Sequence, residues 1–246
     1  MNDEEIAREA LTIDAGRSTI IMCFGTKGSG KSSAARVFFD GWPHDRVVID
    51  PTGNAAPDDP LTRALVAPFP SQLPEPGSAG AVDEQAEAEA GRVTVWARID
   101  PRSKTFAFDQ DAAMALALSP RRREVFIWRD EFGQGTSAHK VLPNDNAFLL
   151  SSRHYHASGA LVSQRPRHIP PVAIQQADKI LIFKLPSPDD REYVAKNAGV
   201  DVPVFECEYF DNQRRGKHSY LLFDRETDAL LNCPPLPGIQ ARGPRA

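Results

Sequence analysis

Short apolar runs alternate along this chain with stretches whose apolar residues recur at helical spacing, and glycine or proline punctuates the joins. Residues 18–24 (STIIMCF) are apolar and β-branched and predict a strand; residues 31–40 (KSSAARVFFD) read as a helix with Val37 and Phe38 turned inward. Ahead of them residues 3–10 have helical composition, with Ile6, Ala10 and Leu11 able to share a side and Gly16 as the break. Residues 47–49 make a second short strand closed by Asp50-Pro51-Thr52-Gly53, where proline presets φ and glycine supplies a positive one.

Further along, residues 92–99 alternate like a strand, 108–118 read as a helix, and Arg121, Arg122 and Arg123 form a basic corner before a strand at 124–129. A helix over 144–155, a strand at 159–163, a loop at 164–168, a short helix from Pro170 and a strand at 179–185 follow. Ser187 can cap the next helix, with Pro188 at its first position and Asp189 and Asp190 in its first turn, where the helix dipole favours acid; that helix runs to about Asn197. Residues 217–223 and 229–231 flank 224–228 as a hairpin, and 234–246 is an extended Pro/Gly-rich tail. Strands alternating with helices predict an α/β fold: a mainly parallel central sheet covered on both faces, ending in a β-hairpin.

Residues 55–91 break this rhythm. Prolines stand at 57, 60, 68, 70, 74 and 76, and an Ala/Glu-rich stretch covers 79–90, which reads as an irregular excursion carrying one exposed, mobile helix. The expected organisation is a leading helix at 1–16, one α/β core at 17–233 interrupted by 55–91, and the tail.

Composition narrows the class. At about 150 residues per domain, 246 residues make one large domain or one with appendages. Hydrophobic residues at 41% and charged residues at 25% exclude wholesale disorder. Cys23, Cys207 and Cys233 are far apart with no CxxC pair, so neither a disulfide framework nor a zinc site is supported, and a reducing compartment fits. The longest apolar run, residues 20–24, is far below the ~20 residues of a membrane span, and the acidic start lacks a signal pattern, so a soluble protein, not an integral membrane protein, is expected. A net charge of -4 means that any nucleic-acid contact must come from a local patch.

The chemistry concentrates in three places. Gly25 to Ser32, GTKGSGKS, satisfies G-x-x-x-x-G-K-[ST] in full, with an apolar strand before it and a helix after. Backbone N–H groups of Gly25, Thr26, Lys27, Gly28, Ser29 and Gly30, with the start of the helix at Lys31, Ser32 and Ser33, form a phosphate cradle. Lys31, read as a solvated point charge outside the core, reaches the β- and γ-phosphates, and the Ser32 hydroxyl can ligate Mg²⁺. The second place is Asp130-Glu131 at the end of the run VFIWR: Asp130 would hold Mg²⁺ and Glu131 would polarise the attacking water as a general base. Adjacent acids, and the lack of an Asn-Lys-x-Asp motif, favour ATP hydrolysis coupled to motion over signalling or phosphorylation of a metabolite. Arg129 is unusual there, at a position usually apolar in such a strand. Third, the strand ending in Ser163 delivers Gln164 to the carboxyl edge of the sheet, where its amide can sense a γ-phosphate or hold water.

Together the phosphate loop, Asp50-Pro51-Thr52-Gly53, Asp130-Glu131, Arg153-His154, Ser163-Gln164-Arg165-Pro166 and the strand DKILIFKL with Pro188-Asp189-Asp190 resemble the FtsK/HerA superfamily of DNA-pumping ATPases, over roughly residues 17–223. In size and lack of accessory domains the chain is most similar to the genome-packaging ATPases of membrane-containing, tailless viruses. The resemblance implies a RecA-like core, ATP and Mg²⁺ as cofactors, and a homo-oligomeric ring, usually of six subunits, that threads double-stranded DNA with little sequence preference. It further implies a capsid or portal protein as partner, and a place in the host cytoplasm and with the virion. Gln164 maps onto the family's sensor, and Arg153 onto an arginine that reaches the neighbouring subunit's ATP site, with Arg165 and Arg167 as rivals. A coupling or segregation ATPase, and a slow ATP-binding assembly or regulatory protein that moves nothing, are the alternative readings. Three basic clusters, 121–123, 165–168 and 214–218, are available to line a DNA channel.

Overall fold

A computed structural model describes residues 11–53, 55–119, 124–134, 136–137 and 140–236. The helix expected at 3–10, the basic corner at 121–123 and most of the tail lie outside the described residues.

The strands are β1 (Ile20–Phe24), β2 (Asp45–Asp50), β3 (Thr62–Val66), β4 (Thr94–Arg98), β5 (Val125–Arg129), β6 (Ala157–Ser163), β7 (Lys179–Ile182), β8 (Tyr220–Asp224) and β9 (Ala229–Cys233). They form one sheet in the order β3-β4-β2-β5-β6-β1-β7-β8-β9. Every pairing from β3 to β7 is parallel; β7 with β8 and β8 with β9 are antiparallel. The helices are α1 (Lys31–Gly41), α2 (Glu84–Ala90), α3 (Phe106–Ala117), α4 (Pro143–Ser151), α5 (Pro171–Gln176), α6 (Pro188–Ala198) and α7 (Val202–Arg214).

The central strands are buried on both sides because each carries two apolar faces. In β1, Ile20, Met22 and Phe24 enter one core with Met114 of α3, Phe148 of α4, Val194 of α6 and Phe205 of α7. Ile21 and Cys23 enter the other, with Ala34, Ala35, Phe38 and Phe39 of α1. Gly159 of β6 is where α4 and β5 come closest: a Cβ there would stand 2.5 Å from the Ile127 carbonyl oxygen and 3.0 Å from the Phe148 ring. Only glycine lets α4 lie this near the sheet.

Three expectations need correction. The excursion at 55–91 is not wholly irregular, since it supplies the edge strand β3. Its apolar pattern is inverted: Arg63 is buried while Val66 is 63% exposed, because Arg63 is paired with the buried Glu87 of α2. That ion pair ties α2 to β3 through Glu87, while Glu84, Gln85, Ala88 and Glu89 of the same helix are exposed. Val37 of α1 is 41% exposed, leaving Phe38 and Phe39 as the inward pair. Finally, α7 is an added helix: Asp201 caps it by accepting from the Val204 N–H at 3.1 Å, and Phe205, Tyr209 and Asn212 form its buried stripe.

Candidate functional site

Parallel strands deliver their carboxyl ends to one edge, and every candidate group but one collects there. Phe24, Ser163 and Ile182 are the last residues of β1, β6 and β7, and Phe24 is in register with both partners. The phosphate loop leaves β1 at this edge. Its Gly25 N–H donates to the Ser163 carbonyl at 3.3 Å and its Thr26 N–H to the Lys184 carbonyl at 2.9 Å, so the loop is stitched to the strands on either side. The fully buried Phe183 supports it from below. A Cβ at Gly25 would meet Phe183 Cβ at 2.8 Å and Ser29 Oγ at 2.4 Å, and Gly30, at φ 112°, passes the Phe183 ring.

Gly30 caps α1 without a side-chain acceptor, and no acidic residue stands in the first turn, so the leading N–H groups of α1 have no side chain to bond. The Ser29 hydroxyl is buried and has no hydrogen-bond partner. Both observations fit an anion, and the residues at hand suit a phosphate chain. Lys27 and Gly28 are exposed at the loop tip, and Ser32 and Ser33 are half-buried on the first turn of α1.

Lys31 departs from expectation. It is 5% exposed, and burial pulls its ammonium below the usual lysine range against the opposing charges of Glu131 and Asp130. Those acids follow β5. Asp130 is pushed up to about 6, first by burial and then by the neighbouring charges of Asp50 and Glu131, with Lys31 and Thr52 acting the other way. One Asp130 oxygen, Oδ1, lacks a hydrogen-bond partner, which is the state of a carboxylate that a cation or its water shell would complete. Ser32 and Asp130 are the residues that can hold Mg²⁺ here. Glu131 sits at φ 45°, a left-handed conformation that costs a non-glycine residue about 1 kcal/mol or more. The Gln164 side-chain amide donates to its Oε1, so the two water-handling groups read separately from the sequence are joined in the structure.

Two contributors were read from the sequence only as part of a turn and of a basic cluster, without a role at the phosphate site. Asp50 is fully buried. Its Oδ1 accepts from the Thr52 and Gly53 N–H groups at 2.9 and 2.8 Å, and its Oδ2 from the Ala55 N–H at 2.8 Å and Trp96 Nε1 at 3.1 Å. The Thr52 hydroxyl lies 3.0 Å from Asp50 Oδ1 and 3.4 Å from Asp130 Oδ2, tying this turn to the acid pair. His218 is the second: its Nδ1 donates to the Ser29 carbonyl at 3.0 Å, from a backbone at φ 73°. Of the basic cluster at 214–218, His218 therefore serves the phosphate loop.

Arg153 is the exception. It is exposed in the short helical turn Ser152–Tyr155 that precedes β6, and the Ser152 carbonyl accepts from Ser18, ahead of β1. It therefore stands at the opposite edge of the sheet, about 20 Å of strand from Gln164, too far to reach its own phosphate loop. Arg165 and Arg167 lie at the loop's edge instead. Arg167 pairs with Asp189 at 2.9 Å, and both arginines line a hollow of about 400 Å³ with His168, Ser187 and Asp190.

Comparison with solved structures finds this architecture in the genome packaging NTPase B204 from Sulfolobus turreted icosahedral virus 2. The complex with AMPPCP matches at a TM-score of 0.58 and 16% identity, over 90% of this chain and 99% of that one. The complex with ATP-gammaS matches at 0.57 and 15%, over 91% and 100%. B204, the DNA-packaging ATPase from Sulfolobus turreted icosahedral virus, matches at 0.58 and 14%, over 89% and 98%. The likeness at this identity is one of fold: a P-loop NTPase with a mostly parallel sheet flanked by helices. No protein-family model and no curated protein matches the chain.

The Asp130 environment has a measurable consequence. Its carboxyl titrates about two units higher in the folded chain than the ordinary value of 3.8, so its charge costs nothing below pH about 4. The cost grows as pH rises through about 6 and levels off on the order of 3 kcal/mol. Asp130→Asn is therefore expected to raise the melting temperature of the metal-free, nucleotide-free protein at pH 8 and to leave it unchanged near pH 4. An equal shift at both pH values would mean that the Asp130 charge is not the cause.

Proposed function

We propose that this chain is a Mg²⁺-dependent ATPase that drives double-stranded DNA, of the viral genome-packaging kind, and works as a ring. The observation that carries the hydrolytic part is the junction of Lys31, Asp130, Glu131 and Gln164 at the mouth of the phosphate loop. An ATP triphosphate seated on the N–H groups at the start of α1 directs its γ-phosphate toward β5 and β6, where Glu131 stands. Glu131 accepts a proton from water held between its carboxylate and the Gln164 amide, and Lys31 offsets charge gathering on the γ-phosphate. Mg²⁺, held through Ser32 and Asp130, would neutralise charge on the β- and γ-oxygens.

The DNA part is supported by the fold shared with B204 and by exposed arginines at 165 and 167 on the carboxyl edge. Phosphate contacts of this kind track a duplex without reading it. The ring is supported by Arg153, whose edge can serve only a neighbour's site. Six subunits, a capsid or portal partner, and action in the host cytoplasm and at the virion complete the reading. Among the described residues no helix is long and apolar enough to cross a membrane.

Three outcomes test it. Lys31→Ala is expected to lose ATP turnover, whereas Glu131→Gln keeps ATP binding and loses about 10² to 10⁴ in rate; normal hydrolysis by Glu131→Gln sinks the assignment of the base. Binding to duplexes of unrelated sequence should be equal, and should weaken by about 10³ or more between 50 and 200 mM salt if several phosphates are contacted. Salt-independent or sharply sequence-selective binding argues for the assembly-protein alternative.

Arg153→Ala should bind ATP, assemble and fail to hydrolyse, since an arginine given in trans contributes about 10³ to 10⁵ in rate. Mixed with Lys31→Ala protein, it should recover activity at junctions where an intact phosphate loop meets an intact arginine. No recovery in rings shown by native mass measurement to be mixed would move the role to Arg165 or Arg167.

A further inference from the structure

The side chain of Arg129, last residue of β5, is fully buried on the face of the sheet covered by α3 and α4. Its Nη2 donates to the Gln110 side-chain carbonyl on α3, and its Nε lies 3.5 Å from Asp145 Oδ1 in the first turn of α4. Its guanidinium carbon is 6.0 Å from the centroid of the buried Phe132 ring. Arg129 thus holds residues on both sides of Asp130 and Glu131: its own backbone enters the turn and Phe132 leaves it. The Phe132 N–H is bonded in turn to the Val162 carbonyl at 2.8 Å, beside Gln164.

The cluster is costly for what it gives the core. Arg129 Nε and Nη1, both Asp145 carboxylate oxygens and the Gln110 amide nitrogen are buried without a hydrogen-bond partner. Burial pushes the Asp145 carboxyl up, opposed by the Arg129 charge. Buried ionic clusters with unfilled bonding capacity are commonly matched or exceeded in stability by apolar residues of similar volume. Stability therefore does not explain arginine here, whereas geometry does. A fork reaching two helices at once fixes the end of β5 against α3 and α4, and those helices are clamped to each other by Asn144, whose N–H and Nδ2 each donate to the Asp111 carboxylate at 2.8 Å. Glu131, two residues on, keeps a strained left-handed backbone, and such strain persists only where its surroundings over-determine it.

We infer that Arg129, with Asp145 and Gln110, is the positioning element of the hydrolytic turn: it holds Glu131 in reach of Gln164 and the γ-phosphate by bracing the turn against α3 and α4. The inference rests on the ATPase reading above.

The test separates positioning from packing. Arg129→Met alone strands a buried carboxylate and should lower both stability and turnover. The triple replacement Arg129→Met, Asp145→Leu, Gln110→Leu removes the polar cluster at similar volume. It should melt at or above the wild-type temperature and bind a fluorescent ATP analogue as wild type does. Its kcat should fall about 10²-fold at unchanged KM, as expected for a base displaced by about 1 Å. A triple variant that keeps wild-type kcat while the wild-type protein hydrolyses ATP overturns the positioning role alone; a wild-type protein without ATP turnover overturns the ATPase reading and this one with it. Where the triple variant does not fold, Arg129→Lys is read instead: it keeps a cation beside Asp145 but has no fork to span both helices. A lowered kcat with ATP affinity retained supports the role, and an undiminished kcat overturns it.

Discussion

Two buried carboxylates, Asp50 and Asp130, a half-buried one, Glu131, and the buried Lys31 ammonium meet at the carboxyl edge of the parallel sheet, and their mutual compensation sets the terms for everything around them. Asp50 is saturated by backbone and indole donors, which hold its side chain in place at the base of the site. Glu131 is held by the Gln164 amide. Lys31 stands among the acids while burial works against its charge. The remaining deficit falls on Asp130 and on the Ser29 hydroxyl, each left with a buried polar atom unsatisfied. A phosphate chain with its cation supplies what both lack: an acceptor for the hydroxyl and positive charge for the carboxylate. The loop can wait in that form because Phe183 and His218 hold it from below and from the side.

What was legible in the sequence follows from where water is excluded symmetrically. Strands buried on both faces, such as β1 and β6, show as apolar runs, and the phosphate loop shows because glycine is required where Phe183 and Ser29 crowd the backbone. The prolines around β3 masked a strand, and its inward arginine reversed the alternation that would have revealed it. In α7 the buried stripe of Phe205, Tyr209 and Asn212 is blurred by Val204 and Phe210, each about half exposed. Lys31 was read as solvated because a motif records which residue touches phosphate and not how far the fold withdraws it from water. His218 reaches Ser29 across 189 residues, and the turn of Asp50 reaches Asp130 through the Thr52 hydroxyl across 78, and no local pattern encodes such a contact.

The two edges of the sheet have different assignments, and this asymmetry is the strongest structural reason to think in terms of an assembly. The phosphate loop, Lys31, the Asp130-Glu131 pair and Gln164 are all at the carboxyl edge of one chain. An exposed arginine, Arg153, with no side-chain partner among the described residues is at the other. In the ring proposed above, a subunit that keeps the first and offers the second to a neighbour would leave each site incomplete until assembly, and hydrolysis in the free chain would then be suppressed without any separate inhibitory element.

Helix α4 joins these two ends. Its first turn carries Asp145, facing Arg129 and the turn of Glu131, and its last turn runs into the segment bearing Arg153. Its nine residues span about 13 Å, a rigid rod rather than a loop. The Arg129–Asp145 separation of 3.5 Å exceeds the ~2.8 Å of a closed charge-assisted hydrogen bond. In the ring proposed above, the turn of Glu131 and the Arg153 offered to the next subunit would therefore be joined by a single short helix.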